Sequence, residues 1–312
     1  MSVDSSGAQG SFSVDTIPSP NFVPHGPTAM YKAFLKYGKG SPPPGLVKTV
    51  MDYKARGKAK REFGGAGAIA EDGEVAWLTP VSIGDPAQTL NLDFDCGSSD
   101  LWVFSDATPA YQSEGHLKYN PKTSHTSELK PDLTWTIRYG AGSYNFGNID
   151  PSLHTGDIHY ADVDSHRGYW TFTTSGYQIG EEKSGDNITG FADTGTSILL
   201  LPSSVTKAYY ANVAGASVNN IEGGYVFPCT ASLPDFIFSV GGGDITIPGQ
   251  YMNFSSANAA EKTCFGGIQD NSIVGGKVVI FGDIALKAAY VVFEDSVAHT
   301  RIGWATKDLS LN

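Results

Sequence analysis

The chain has 312 residues and an apolar fraction of 40%, enough for one large or two ordinary domains with a real core. Its formal charge of −11 is unevenly divided: residues 1–61 hold nine Lys/Arg and three Asp/Glu, a net +6, which leaves −17 on the remainder. An acidic body argues against nucleic acid as its partner, and no stretch is long and apolar enough to span a membrane. The seven His residues show no metal-binding spacing, no Ser sits in a Gly-x-Ser-x-Gly elbow, and neither a metal nor a cofactor is expected.

The first ten residues are polar and lack the apolar core of a signal peptide. Pro18, Pro20, Pro24 and Pro27 then precede a helix-like run around Thr28 to Tyr37. Ser41-Pro42-Pro43-Pro44-Gly45 breaks that run, and a basic stretch follows from Lys54 to Arg61. By its residues alone this segment is a poorly ordered or dependent arm, either a solvated linker or a nucleic-acid tail. Gly65-x-Gly67-x-x-Ala70 imitates a dinucleotide fingerprint. It follows the basic arm instead of a strand, and Glu71-Asp72-Gly73 stands where a helix should begin.

From Val75 onward short apolar runs alternate with turns, as half-buried strands do. Gly 37, Pro 17 and few helix-period runs predict an all-β chain. One stretch organises it: Leu92-Asp93-Phe94-Asp95-Cys96-Gly97-Ser98-Ser99-Asp100-Leu101-Trp102-Val103. Its echo, Phe191-Ala192-Asp193-Thr194-Gly195-Thr196-Ser197, puts a second carboxylate 98 residues after the first. Each copy runs from apolar residues into Asp, a small residue, Gly and a hydroxyl. Gly permits a sharp turn, and the hydroxyl of Ser98 or Thr196 can donate to its own Asp and orient it. Asp93 is read as a polar face residue of the strand.

Two such turns face to face would bring Asp95 and Asp193 within hydrogen-bonding reach, where they share one proton. The ionised member can draw a proton from a water while the protonated member polarises a peptide carbonyl. Alternatively, each Asp merely caps its own turn.

The chain resembles pepsin-family (A1) aspartic endopeptidases of the fungal penicillopepsin and aspergillopepsin type. The resemblance rests on Trp77 to Val81, Leu90 to Val103, Tyr139 to Asp150, Ala192 to Leu201, Gly223 to Cys229, Thr263 to Gln269, Val279 to Asp283 and Tyr290 to Phe293. It implies a bilobal all-β acid protease fold, an acidic working range, polypeptide substrates, secretion and a monomer. It also implies a zymogen whose own propeptide is its first partner. Residues 1–61 would be that propeptide, with Lys36 and Tyr37 of Leu35-Lys36-Tyr37-Gly38 directed at the catalytic carboxylates and Lys60-Arg61 as a processing site. Catalysis falls to Asp95 and Asp193. Gly97, Gly195 and Thr196 would line the substrate. Tyr139, Gly140 and Ser143 would start the flap, with Trp102 (otherwise a core residue) as its buttress. Cys229 and Cys264 would form a disulfide, the alternative being two buried thiols with Cys96 as the third Cys. Two sequons, Asn187-Ile188-Thr189 and Asn253-Phe254-Ser255, fit a secreted history.

The chain also departs from the family. Cys96 stands where a Thr hydroxyl would reach across to the other turn, and Ala141 where fungal relatives carry an acidic residue. Ser143 runs straight into Tyr144-Asn145-Phe146-Gly147, which resembles the approach to the C-terminal lobe. The expected organisation is therefore a 1–61 arm, a truncated N-terminal lobe over 62–143, and an interlobe segment plus complete C-terminal lobe over 144–312. A returning flap strand and the apolar-apolar-Gly partner of the Asp95 turn are missing from it. The exposed edge could be patched by a dimer or by the arm around Val47 to Tyr53. The rival to an endopeptidase is a catalytically impaired relative that at most binds peptides.

Overall fold

The computed structural model describes residues 12–14, 17–18, 24–61, 77–93, 103–105, 117–127, 144–146, 149–164, 166, 168–258, 262–295 and 300–309. Their architecture is mostly strand, as expected of an all-β chain, with helices concentrated in the first 61 residues.

Helix α1 spans Gly26–Tyr37, beginning two residues before the predicted run. Pro27 sets that start, since its fixed φ suits the first helical turn and its missing N–H costs nothing there. Gly38 ends the helix, its N–H donating to Phe34 O at 2.7 Å. Helix α2 spans Pro44–Arg61, again opened by a proline, so Val47 to Tyr53 is helical. The expected patch from that segment is therefore not the one that forms. A different part of the arm pairs with the body: Phe12–Val14 runs antiparallel to Tyr144–Phe146, and Ile17–Pro18 antiparallel to Trp77 and Leu78.

The arm is dependent, and apolar packing carries much of that dependence. Met30, Ala33 and Phe34 lie at helical spacing on one face of α1, and Leu46 and Val50 on one face of α2. All five are buried; Met30, Ala33, Leu46 and Val50 belong to the same core cluster as the C-terminal strands. Burying a side chain the size of Val50, Leu46, Met30 or Phe34 contributes about 1.5–3 kcal/mol. Gly26 sits so close to Phe265 that a Cβ there would lie 2.1 Å from its ring, and its N–H donates to Ser255 Oγ at 2.9 Å. Leu46 fills the space beside Gly223, whose φ of +79° favours glycine.

The body supplies the remaining sheets. Strand Trp77–Ile83 pairs with Gln88–Asp93 through a tight turn at Gly84. A five-stranded sheet runs Ile268–Asp270, Leu199–Leu201, Ile280–Phe281, Thr189–Ala192, Thr171–Thr173. Two four-stranded sheets and a three-stranded one follow from the same part of the chain. Their centre is aromatic: Phe172, Phe238, Phe281 and Trp304 are each under 2% exposed and meet at ring distances of 4.9 to 6.5 Å. Cys229 and Cys264 are joined as a disulfide across 35 residues of sequence, a loop whose closure stabilises by about 3–4 kcal/mol.

Candidate active site

Asp193 follows directly on strand Thr189–Ala192, the fourth of the five-stranded sheet. That strand lies parallel to Ile280–Phe281, and Asp193 N–H donates to Phe281 O at 3.1 Å. The Asp193 turn then threads past Gly282, where a Cβ would come within 2.1 Å of Thr196 O and 2.4 Å of Ile198 O. Only glycine lets the two backbones approach this closely. The crossing is fastened by Asp283 N–H to Thr196 O at 2.8 Å and Ile284 N–H to Ser197 O at 3.1 Å. Position, turn and partner strand are thus all backbone-fixed before any side chain is considered.

Asp193 is 0% exposed. Its Oδ1 accepts from Gly195 N–H at 2.8 Å, and its Oδ2 accepts from the Thr196 hydroxyl at 2.6 Å. Two further donors come from the arm. Lys36 Nζ lies 3.1 Å from Oδ1 and 3.3 Å from Oδ2, and the Tyr37 hydroxyl donates to Oδ2 at 2.6 Å. A carboxylate has about four acceptor positions, and among the described residues these donors engage both of its oxygens. The end of α1 therefore adds to the coordination that the turn begins.

The Lys36 side chain is 13% exposed, so this ion pair lies out of water. Removing two charges from water is costly, and such a pair is sustained only when further hydrogen bonds satisfy both members. Gly195, Thr196 and Tyr37 supply them on the carboxylate side. Tyr37 is itself seated edge-on against Tyr169 and Phe191 at 6.3 and 5.5 Å, and those two rings stack at 4.5 Å. Tyr169 was not singled out in the sequence; its aromatic run with Trp170 and Phe172 reads as ordinary core and carries no motif. Gln269 was quoted only as part of the Thr263 to Gln269 stretch, with no role of its own. It is fully buried, with Oε1 accepting from Tyr225 N–H at 2.7 Å and Nε2 donating to Tyr225 O and Gly266 O.

Asp95, Cys96, Gly97, Ser98, Trp102, Tyr139, Gly140, Ala141 and Ser143 lie outside the described residues, so the geometry above concerns the Asp193 half. Among the described residues no group of His, Cys, Asp and Glu is placed to hold a metal ion.

The eukaryotic aspartyl protease family matches this chain over residues 76–145 and 140–307. Endothiapepsin of Cryphonectria parasitica is 35% identical, the match covering 96% of this chain and 91% of that protein. Podosporapepsin of Podospora anserina is also 35% identical, over 90% of this chain and 87% of its own. Aspergillopepsin-1 of Aspergillus oryzae is 34% identical, over 95% and 93% respectively. With two family segments that together span most of the chain, and relatives of this identity over nearly all of it, the chain belongs to the eukaryotic aspartyl protease family.

Proposed function

We propose that this chain is the zymogen form of a secreted aspartic endopeptidase, with Asp95 and Asp193 as its catalytic pair and residues 1–61 as its inhibitory propeptide. The observation that carries the proposal is the contact of Lys36 and Tyr37 with Asp193. A carboxylate engaged by an ammonium and a phenol cannot at the same time hold the attacking water, so the arm blocks the chemistry. Acid reverses this. A protonated Asp193 no longer attracts Lys36, and the pair can then share one proton as general acid and general base. The deep seat of Asp193 and the donors Gly195 and Thr196 fit that role, because catalytic carboxylates need a fixed orientation.

The test is hydrolysis of an extended peptide with apolar side chains by acid-treated protein, with active-site titration by a statine-type transition-state mimic. Stoichiometric tight binding supports the proposal. Absence of both binding and hydrolysis after the arm has been released removes it.

A second reading is favoured by a specific observation. The match to endothiapepsin extends over 385 positions, whereas this chain has 312 residues, so at least 385 − 312 = 73 positions have no counterpart here. The two family segments meet at 140–145, where the sequence runs from the flap motif into the interlobe motif. Under this reading the N-terminal lobe over 62–143 is incomplete and the chain is a poor enzyme or none. Comparing it with a version whose missing block is restored from a relative decides between the two. Peptide cleavage within tenfold of the restored protein eliminates the impaired reading.

A further inference from the structure

We infer that Asn187 is a site of N-linked glycosylation, and that its glycan covers two sheet edges that meet beside it. Asn187-Ile188-Thr189 has the acceptor pattern for this modification. Asn187 and Thr189 are exposed, while Ile188 between them is only 2% exposed. The inward residue is pinned from both sides: its N–H donates to Thr174 Oγ1 at 2.9 Å, and its carbonyl accepts from Thr174 N–H at 2.9 Å. This clamp turns the amide of Asn187 and the hydroxyl of Thr189 outward on a fixed segment.

The surroundings give the modification a purpose. Among the described residues, Glu182–Ser184, three residues before Asn187, is the last strand of one four-stranded sheet. Among the same residues Thr171–Thr173 is the last strand of the five-stranded sheet; Asp164 N–H bridges its far end by donating to Thr171 O at 2.9 Å, and at its near end the Thr173 hydroxyl lies 2.9 Å from that of Thr189. Terminal strands present unpaired backbone groups that invite pairing with other chains, and natural proteins cover them. A solvated oligosaccharide on Asn187 covers both. It also stays clear of Asp193, which follows six residues later at the other end of strand Thr189–Ala192, about 20 Å away along an extended chain.

The second sequon is a weaker acceptor in the folded chain. Asn253 is exposed, but the Ser255 hydroxyl is 8% exposed and accepts the Gly26 N–H of the arm. The Cys229–Cys264 disulfide fits an oxidising compartment, where this modification also occurs. The donor class is a lipid-pyrophosphate-linked oligosaccharide. The Asn187 amide nitrogen bonds to the anomeric carbon, the bond from that carbon to the pyrophosphate oxygen breaks, and the displaced amide proton leaves with the lipid pyrophosphate. Nothing is oxidised or reduced.

The experiment directs the full chain into the secretory pathway of a eukaryotic host and maps its peptides by mass after enzymatic deglycosylation in heavy-oxygen water. Asn187 is expected to emerge as heavy-labelled Asp in most molecules, with the label lost in Thr189→Ala and kept in Thr189→Ser. An unlabelled Asn187 in secreted protein overturns the inference. Asn187→Gln, a surface change that leaves Thr189 in place, is expected to form soluble aggregates at least twofold faster on warming. Equal aggregation overturns the edge-covering role. Because the host supplies the compartment, these outcomes are independent of whether the chain cleaves peptides.

Discussion

Two parts of the arm hold on to the body by different physics. At the C-terminal end of α1, Lys36 and Tyr37 grip Asp193 through charge and hydrogen bonds. Elsewhere, Met30, Phe34, Leu46 and Val50 are buried among apolar groups, and Gly26 is wedged against Phe265. The first attachment depends on an ionised carboxylate and so weakens as pH falls. The second rests on side chains that do not titrate, with His25, which bonds the Thr28 hydroxyl at 2.7 Å and stacks on Tyr53, as a titratable group beside them. A charge difference of +6 against −17 suggests an arm held by electrostatics alone, yet the packing assigns a large part of the attachment to apolar contact. Acid therefore opens the latch first, and the apolar anchor has to yield by local unfolding or by cutting.

The largest effect is expected at the latch itself. Asp193→Asn keeps the shape but removes the titrating group, and peptide hydrolysis at about pH 4 should fall by at least about a thousandfold. Turnover within tenfold of the parent protein breaks the assignment of Asp193 to catalysis. Next, Lys36→Met should loosen the arm at neutral pH and leave its affinity much less dependent on pH. Loss of one member of a buried pair costs about 3–5 kcal/mol, or roughly a hundredfold or more in binding. The measurement is association of a separate 1–61 peptide with the body across pH, and an unchanged pH slope would count against the latch.

The anchor is probed by Leu46→Ala. Leu46 is 0% exposed, so truncation should cost about 2–5 kcal/mol of arm attachment, by equal amounts at neutral and acid pH. A loss confined to neutral pH would show that latch and anchor are not separable. The smallest effect is expected at a site remote from both. The Asp270 carboxylate accepts from the Ser203 hydroxyl and from Ser272 N–H, each at 2.8 Å. Burial alone would raise its pKa, but those donors, with Lys207 nearby, hold it below its ordinary value. A carboxyl whose folded pKa is depressed stabilises above its unfolded value, near 3.9, and loses that contribution as pH falls through the lower folded value. Asp270→Asn should thus cost at most about 0.5 kcal/mol at neutral pH, because solvent screens a largely exposed carboxyl, and less towards pH 2–3, read as the shift in unfolding midpoint. An equal shift at both pH values would contradict the linkage.

Much of this could be read in the sequence where a residue's role is local. The Asp-Thr-Gly-Thr run specifies its own turn, Ile280-Phe281-Gly282 supplies the strand and the close approach beside it, and Pro27 and Gly38 bound a helix. Non-local or ambiguous features were harder. Val47, Thr49, Val50 and Tyr53 favour strands by type, which made a patching strand plausible. Pro44 and the apolar spacing of Leu46 and Val50 nonetheless make the segment a helix. Phe12–Val14 is three residues long and meets a partner more than 120 residues away, so nothing in its neighbourhood announces a strand. The aromatic seat of Tyr37 on Tyr169 and Phe191 is likewise a product of tertiary packing.

The arm reaches the body at separate places: the strand at Tyr144–Phe146, the strand at Trp77–Ile83, and the core beneath α1 and α2. One peptide linkage joins them, and cutting it near Lys60-Arg61 removes none of these contacts. What the cut changes is the order of the reaction. Before it, arm and body meet at the effective concentration of a tethered pair, on the order of millimolar; afterwards they meet at whatever concentration the protein has. A nicked molecule would stay closed in a concentrated store and open on dilution into its surroundings, and gel filtration of nicked protein over a dilution series reads this directly.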